Sequence, residues 1–184
     1  MEIAVFSGSF NPLHIGHKAI IESLVDGGGF DSVYLVVSPK NPLKESISAD
    51  SAPERLKAAR EAVERHSLRV KVDDIEMNMP PPHYSVRTLD ALSQREPGNR
   101  FTLVMGADNL ADIRRWRDYG RILTEYGVAV YPRGGVDLDA VTADLIAENP
   151  EYRIRLIEAP KVDISSTIIR EGLAAGRDMS SYML

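Results

Sequence analysis

Two histidines stand three residues apart directly after a short apolar run. The run "IAVF" at 3–6 leads into "SGSFNPLHIGH", in which His14 and His17 open an amphipathic stretch. Residues at i and i+3 share one face of a helix, and in the first turn their side chains lean toward the helix N-terminus. Free N–H groups and the positive end of the helix dipole lie there, and Gly8 and Ser9 let the backbone pass close to a ligand. This pattern is suited to binding a phosphate.

Other interpretations of the two histidines remain open at this point. The segment after Gly8 has neither the spacing nor the Lys-Ser/Thr of a P-loop, and the G-x-G-x-x-G dinucleotide fingerprint is absent. Taken alone, the pair could equally serve as helix-capping or surface residues. A zinc site is a weaker interpretation, because no third ligand stands at a suitable spacing. We therefore expect no metal site built by the protein.

A second candidate anion site is the segment "ISSTIIR", residues 164–170. Ser165 or Ser166 is a favourable N-cap for the helix that follows, which would leave that helix's first amides free for an anion. Arg170 lies one turn beyond Ser166 and leans back toward the same end, so its guanidinium can reach an anion held there. The alternative is a capped helix that carries a solvated arginine.

An alternation of strands and helices must position these segments. Runs rich in β-branched residues predict strands at 3–6, 32–37, 68–75, 100–105, 127–131 and 152–158. Helical patterns lie at 15–25, 53–65, 85–95, 108–125 and 138–148, with a last helix starting near 165. This order is typical of an α/β protein with a mostly parallel sheet covered on both faces. In such sheets ligands bind beyond the carboxyl ends of the strands, where both candidate segments are expected.

Length and composition limit the classes of function. The 184 residues predict one domain, 1–184, and the formal net charge of −5 gives no overall attraction to nucleic acid or an anionic membrane. The absence of cysteine excludes disulfides and thiolate catalysis. No apolar run approaches the ~20 residues of a membrane span, and the N-terminus lacks the features of an export signal. We expect a cytoplasmic protein whose partners are small molecules.

Both candidate segments resemble signatures of one superfamily. "GSFNPLHIGH" resembles the G-[TS]-F-[DN]-P-x-H-x-G-H signature of the nucleotidyltransferases, and "ISSTIIR" resembles their I-S-S-T-x-x-R element. The resemblance implies a Rossmann-like three-layer nucleotidyltransferase fold, with His14, His17 and Arg170 as the catalytic residues around a triphosphate. The "NPLK" loop resembles the family's N-P-x-[HF]-K, shortened by one residue. The ATP-binding residues implied are Gly8, Ser9, Phe10, Lys44, Gly106, Ile164, Ser165 and Ser166.

Further blocks resemble the bacterial nicotinate mononucleotide adenylyltransferases. "MGADNLADIRRW" at 105–116 is similar to their G-x-D…W block, and "YPRGG" is similar to their R-x-G. "HYSVRTL" at 83–89 resembles their S-Y-T-x-D-T-L, with Arg87 in place of the acid. The mononucleotide-binding residues implied are Tyr84, Ser85, Thr88, Asp108, Trp116 and Arg133. For Trp116, the one tryptophan, packing of a helix onto the core is the alternative to stacking on a pyridine ring.

The reaction implied is transfer of the adenylyl group of ATP to nicotinate mononucleotide. The products would be nicotinate adenine dinucleotide and pyrophosphate, a step of NAD biosynthesis, with Mg²⁺ carried by ATP. A phosphopantetheine adenylyltransferase is the nearest alternative, because it shares both phosphate elements. A non-catalytic nucleotide-binding regulator on the same fold is the alternative from a different class. The sequence leaves open the oligomeric state and the choice between the nicotinate and nicotinamide mononucleotides.

Overall fold

The computed structural model describes residues 1–39 and 52–184. Its centre is a six-stranded sheet with the order β3-β2-β1-β4-β5-β6, in which every neighbouring pair is parallel. The strands are β1 (Glu2–Gly8), β2 (Ser32–Val37), β3 (Val70–Asp73), β4 (Arg100–Gly106), β5 (Val128–Tyr131) and β6 (Ile154–Leu156). All six predicted strands are confirmed, and the sheet is parallel throughout.

The helices agree with the sequence patterns except in one region. The described helices are α1 (Ile15–Asp26), α2 (Ala52–Arg65), α3 (Ser85–Arg95), α4 (Ala107–Ala111), α5 (Tyr119–Arg121), α6 (Leu138–Glu148) and α7 (Ser166–Ala174). Five of them occupy the predicted positions. Along α1 the buried residues are Gly16, Ile21 and Leu24.

The single helix predicted over 108–125 was wrong. The chain there forms α4, a 3₁₀ turn at Ile113–Arg115, α5 and a π turn at Ile122–Tyr126. Trp116 is extended, with φ −80° and ψ 143°, and Asp118 is left-handed, with φ 51° and ψ 41°. Neither conformation continues a helical hydrogen-bond ladder. The bends also bring both Ile113 and Ile122 fully into the core.

The two faces of the sheet bury two separate apolar clusters. Ile3 of β1 belongs to one cluster and Ala4 to the other, as the alternation of side chains along a strand requires. Leu89 of α3 packs in the first cluster and Leu24 of α1 in the second. Strand β2 is buried continuously over Val33–Val37, which explains why its sequence lacks polar alternation. Helices therefore cover both faces, and the predicted three-layer α/β fold is confirmed.

The sheet order places a cleft beside β1. Strand β1 pairs with β2 on one side and with β4 on the other, so the chain runs outward from β1 to β2 and, in the opposite direction, from β4 to β5. Loops at such a switch point diverge and leave a crevice at the carboxyl ends of the strands. The segments after β1 and β4 flank this crevice. Among the described residues, no helix is long and apolar enough to cross a membrane.

Candidate active site

His14 and His17 form the cap of α1. The His14 ring nitrogen Nδ1 accepts hydrogen bonds from the backbone N–H of Gly16, at 3.1 Å, and of His17, at 3.4 Å. In return, the backbone N–H of His14 donates to His17 Nδ1 at 3.1 Å. This is a reciprocal capping box, built here from two imidazoles. The rings stack with centroids 3.7 Å apart. The capping interpretation is thus correct for one nitrogen of each ring.

The cap determines which nitrogen of each ring carries the proton. A neutral imidazole has one donor and one acceptor nitrogen, and in both rings Nδ1 is already an acceptor. The hydrogen-bond network therefore assigns the proton to Nε2 in both histidines. Two neutral N–H donors remain at the tip of α1, and capping leaves them available to a ligand.

Burial keeps both imidazoles neutral. Desolvation lowers the pKa of His14 from 6.5 to about 4. Desolvation also holds the pKa of His17 well below its usual range, with smaller contributions from the charges of His14 and Arg133. Each cause disfavours the protonated ring. The site is therefore set up for hydrogen-bond donation rather than for cationic charge at these two residues.

The loop between β1 and α1 is held in a constrained shape. Phe10 is buried with φ +47°, and its ring meets the edge of the His17 ring at a centroid distance of 5.1 Å. Gly16 has no space for a side chain, because a Cβ there would lie 2.9 Å from the His14 ring. The buried Arg55 guanidinium of α2 donates to the carbonyls of Ser9 and Ser38, each at 2.8 Å. These contacts fix the position of both imidazoles.

Helix α7 joins this loop from the other end of the chain. Ser165 is the N-cap, and its hydroxyl accepts from the Ile168 N–H at 3.1 Å. The Ser166 hydroxyl donates to the carbonyl of Pro12 at 2.9 Å, and Arg170 Nη1 donates to the carbonyl of Asn11 at 2.6 Å. The two predicted phosphate segments therefore meet, which matches the expectation from their motifs.

Two smaller contacts strengthen the junction of α1 and α7. The Cγ2 of Ile164 approaches α1 so closely that a Cβ on Gly16 would lie 3.5 Å from it. Near the C-terminus, Met183 pairs with His14 in an antiparallel bridge, and the Ile15 N–H donates to the Tyr182 carbonyl at 3.0 Å. The tip of α1 is thus held by segments far apart in sequence.

The carboxyl end of β4 adds a charged pair to the crevice. Gly106 is the N-cap of α4, and a Cβ there would lie 2.5 Å from Arg133 Nε. Arg133 donates to Asp108 at 2.7 Å and to the Tyr131 hydroxyl at 2.9 Å. The predicted Asp108 and Arg133 therefore partner each other. A side chain at position 106 would displace the Arg133 guanidinium and the Asp108 carboxylate from this pairing.

The remaining predicted residues lie around the start of α3. Tyr84 precedes the helix and is 39% exposed, and the Arg117 guanidinium lies over its ring at 5.0 Å. Trp116 is half-buried and packs against the core, so the packing interpretation holds for part of its surface. Ser85 is half-buried in the first turn of α3. An aromatic and cationic surface thus forms where α3 and the 113–117 segment meet.

Thr88 is almost fully buried, and its hydroxyl donates to Glu76 at 3.0 Å, so it does not face the crevice surface. Lys44 was predicted to contact ATP and lies outside the described residues.

Sequence reasoning missed Arg55 and Glu76. Arg55 shares a buried stripe of α2 with Ala59 and Ala62, and a charged residue on an apolar stripe was the signal for it. Glu76 lies in a 3₁₀ turn, Ile75–Asn78, just beyond the carboxyl end of β3 and is 3% exposed. An acid at that edge was the corresponding signal.

A cavity of about 740 Å³ lies at the amino ends of the strands, on the side away from the crevice, and is lined by residues that include Arg100, Gly127 and Arg153. Its arginines are already engaged, since Arg153 donates to the carbonyls of Thr124 and Glu125. Ligands of open parallel sheets bind at the carboxyl edge instead.

In residues 1–39 and 52–184, no group of three or more His, Cys, Asp or Glu is arranged to hold a metal ion.

Comparisons with known proteins point to one family. A family model described as cytidylyltransferase-like matches residues 5–172. A Flavobacterium johnsoniae protein named probable nicotinate-nucleotide adenylyltransferase is 35% identical over 183 residues, which cover 100% of this chain and 92% of the relative. Its namesake in Flavobacterium psychrophilum is 38% identical over 173 residues, which cover 94% and 86% of the two chains.

A solved structure has the same fold. It is the Plasmodium falciparum nicotinic acid mononucleotide adenylyltransferase complexed with NaAD. The TM-score is 0.78 at 19% identity, with 99% of this chain and 90% of that chain covered.

Proposed function

Because the chain belongs to the cytidylyltransferase-like family and, within it, to the nicotinate-nucleotide adenylyltransferases, we propose that it transfers the adenylyl group of ATP to nicotinate mononucleotide. The products are nicotinate adenine dinucleotide and pyrophosphate. The observation that carries the proposal for this chain's own residues is the meeting of the α1 and α7 tips. Two neutral imidazole donors lie on one side, and Ser166 and Arg170 lie on the other.

In this proposal the triphosphate lies between those two helix tips. Nε2–H of His14 and His17 donate to oxygens of the α- and β-phosphates. Arg170 and the first amides of α7, behind the Ser165 cap, hold the β- and γ-phosphates. Gly8 and Ser9 provide close backbone approach on the strand side, the Arg133 guanidinium lies against Gly106, and Phe10 supports the His17 ring from behind.

The chemistry requires positioning more than proton transfer. An oxygen of the acceptor's 5′-phosphate attacks the α-phosphorus of ATP, and the bond from that phosphorus to the pyrophosphate oxygen breaks. The nucleophile is already an anion, so no general base is required. Catalysis then comes from in-line alignment and from donors that meet the charge growing on the leaving pyrophosphate. Neutral imidazoles suit this role because they are fixed by the cap before the substrate arrives.

Mg²⁺ enters as part of the substrate. The described residues gather no carboxylate cluster for it, and in this proposal it arrives bound to the triphosphate. Its chemistry is to neutralise phosphate charge during the transfer.

The acceptor occupies the crevice on the α3 side. Trp116 and Tyr84 offer aromatic faces to the pyridine ring, and the Arg117 guanidinium beside them offers positive charge to its carboxylate. Arg87 is engaged with the Pro82 carbonyl at 2.7 Å. Ser85 belongs to the first turn of α3, whose free amides are a second source of donors. Asp108 and Arg133 lie between the two substrates, where they can meet ribose and phosphate groups.

Pyrophosphate release with a panel of acceptors tests the proposal. We expect release from MgATP with nicotinate mononucleotide and a product with the mass of nicotinate adenine dinucleotide. Faster release with phosphopantetheine would assign the chain to that reaction instead. ATP binding without release in the presence of either acceptor would make it a regulator.

A further inference from the structure

A buried glutamate gathers three hydroxyl groups from three different elements. Glu76 is 3% exposed. Its Oε1 accepts from the Ser38 hydroxyl at 2.9 Å, and its Oε2 accepts from the hydroxyls of Thr88, at 3.0 Å, and Ser7, at 3.4 Å. Over residues 1–39 and 52–184, no salt bridge reaches Glu76. Burial of a carboxyl group costs free energy, and among the described residues the hydrogen bonds that offset this cost come from hydroxyl groups.

The three hydroxyls lie on the two sides of the candidate site. Ser7 is the second-last residue of strand β1, next to Gly8, and the N–H of Ser38 donates to the Gly8 carbonyl at 2.9 Å. Thr88 is in the first turn of α3, on the side proposed for the acceptor. Glu76 therefore connects the loop that carries the imidazoles to the helix that begins the acceptor surface.

The α3 side depends on this connection more than the loop side does. The N-cap of α3 is Tyr84, whose side chain makes no capping hydrogen bond. The loop side has independent support, because Arg55 holds the carbonyls of Ser9 and Ser38 and α7 holds the carbonyls before His14. Loss of the Glu76 carboxyl would thus loosen the start of α3 first.

We propose that Glu76 is a positioning residue that holds the first turn of α3, and with it the acceptor site, in register with the triphosphate loop. This inference rests on the proposed function for the identity of the acceptor. Glu76 itself touches neither substrate. Its effect is on the affinity for the mononucleotide, with a smaller effect on the affinity for ATP.

The test compares Glu76→Gln with a matched control. In Glu76→Gln an amide NH₂ replaces one accepting oxygen, so at least one of the three hydroxyls loses its acceptor. The control is Asp73→Asn, which alters another buried carboxylate three residues earlier. Asp73 pairs at 2.6 Å with Arg95, the last residue of α3, and accepts the Ile75 N–H at 3.0 Å; an asparagine keeps an oxygen for Ile75, so the change weakens only the attachment at the far end of α3. Thr88→Val removes the α3 tether alone and serves as a second test variant.

Two readouts separate positioning from general stability. The quenching of Trp116, the one tryptophan, reports nicotinate mononucleotide binding, and calorimetry reports binding of a non-hydrolysable ATP analogue. If the free energy of one hydrogen bond to the carboxyl group no longer holds α3 in its binding position, the mononucleotide should bind roughly tenfold more weakly. We expect that loss in Glu76→Gln and Thr88→Val, with the affinity for the ATP analogue changed less than about twofold. Hydrogen exchange should become faster at the amides of residues 87–89 in both variants and stay unchanged in Asp73→Asn.

Unchanged mononucleotide affinity and exchange in Glu76→Gln would overturn the inference, as would equal losses for both substrates or the same pattern in Asp73→Asn. A wild-type protein that binds no nicotinate mononucleotide would refute the proposed function. The exchange comparison would still judge the role of Glu76 in that case.

Discussion

Substitution of His17 separates its two roles, because its two ring nitrogens face different partners. Nδ1 accepts the His14 N–H at 3.1 Å, and Nε2 is the proposed phosphate donor. An asparagine side chain places its amide near the position of Nδ1, whereas a glutamine side chain reaches the position of Nε2. His17→Asn therefore keeps an acceptor for the cap and removes the donor. His17→Gln can supply both groups, because glutamine is a standard residue at this position of a capping box and its amide NH₂ reaches toward the Nε2 position, and His17→Ala removes both.

The expected magnitudes follow from these contacts. Loss of a capping hydrogen bond lowers the free energy of unfolding by about 1 kcal/mol. Loss of one preorganised donor lowers turnover by roughly 10²-fold or more. We expect His17→Asn to unfold near the wild-type urea midpoint with turnover reduced about 10²-fold. His17→Gln should also unfold near the wild-type midpoint and retain more activity than His17→Ala, which should be destabilised by about 1 kcal/mol.

Urea unfolding and pyrophosphate release from MgATP and nicotinate mononucleotide measure the two quantities in the same preparations. Asn109→Ala, in the short helix after β4, is a suitable handling control for expression and purity. Wild-type turnover in His17→Asn would refute the donor role. Equal turnover in His17→Gln and His17→Ala would show that the Nε2 position does not matter.

Three further predictions concern pH and the acceptor site. Because the pKa of His14 is about 4 in the folded protein and 6.5 in the unfolded chain, the unfolded state binds more protons between these values, so His14 alone should lower the free energy of unfolding by up to about 3 kcal/mol as the pH falls from 6.5 to 4. The lowered pKa of His17 adds to this fall. Urea titrations should find a shallower fall in His14→Asn, which caps without titrating. Trp116→Ala should weaken mononucleotide binding by about 1–3 kcal/mol and leave the KM for ATP unchanged, and a defect confined to ATP would reassign this residue. Arg117→Gln should lower the preference for the nicotinate over the nicotinamide mononucleotide, measured as the ratio of their kcat/KM values, about fivefold. Arg87→Gln should leave that ratio unchanged, because Arg87 is bound to the Pro82 carbonyl.

The parts of the fold that local pattern determines were predictable. Continuous apolar runs such as 33–37 gave the strands, and the serine before "STIIR" gave the cap of α7. The region 108–125 was not predictable in this way, because the residues at both of its ends do form helical turns and their pattern suggests one continuous helix. The chain bends at Trp116 and Asp118 to bury Ile113 and Ile122 together, and that requirement arises only from the assembled core.

The candidate site shows the same division. The types and spacing of His14 and His17 were compatible with both a helix cap and a phosphate site, and the resemblance of the surrounding segment to a family signature favoured the phosphate site. The reciprocal cap that sets their tautomers depends on backbone geometry at His14, which a spacing of residues does not specify. Arg55 and Glu76 act through partners 12 to 69 positions away, so no local pattern could identify those partners.

A crystal structure with a non-hydrolysable ATP analogue and Mg²⁺ tests the central claim most directly. We expect phosphate oxygens within hydrogen-bond distance of Nε2 of both His14 and His17 on one side and of Arg170 on the other. A triphosphate bound elsewhere, with the crevice between α1 and α7 empty at saturating analogue, would contradict it.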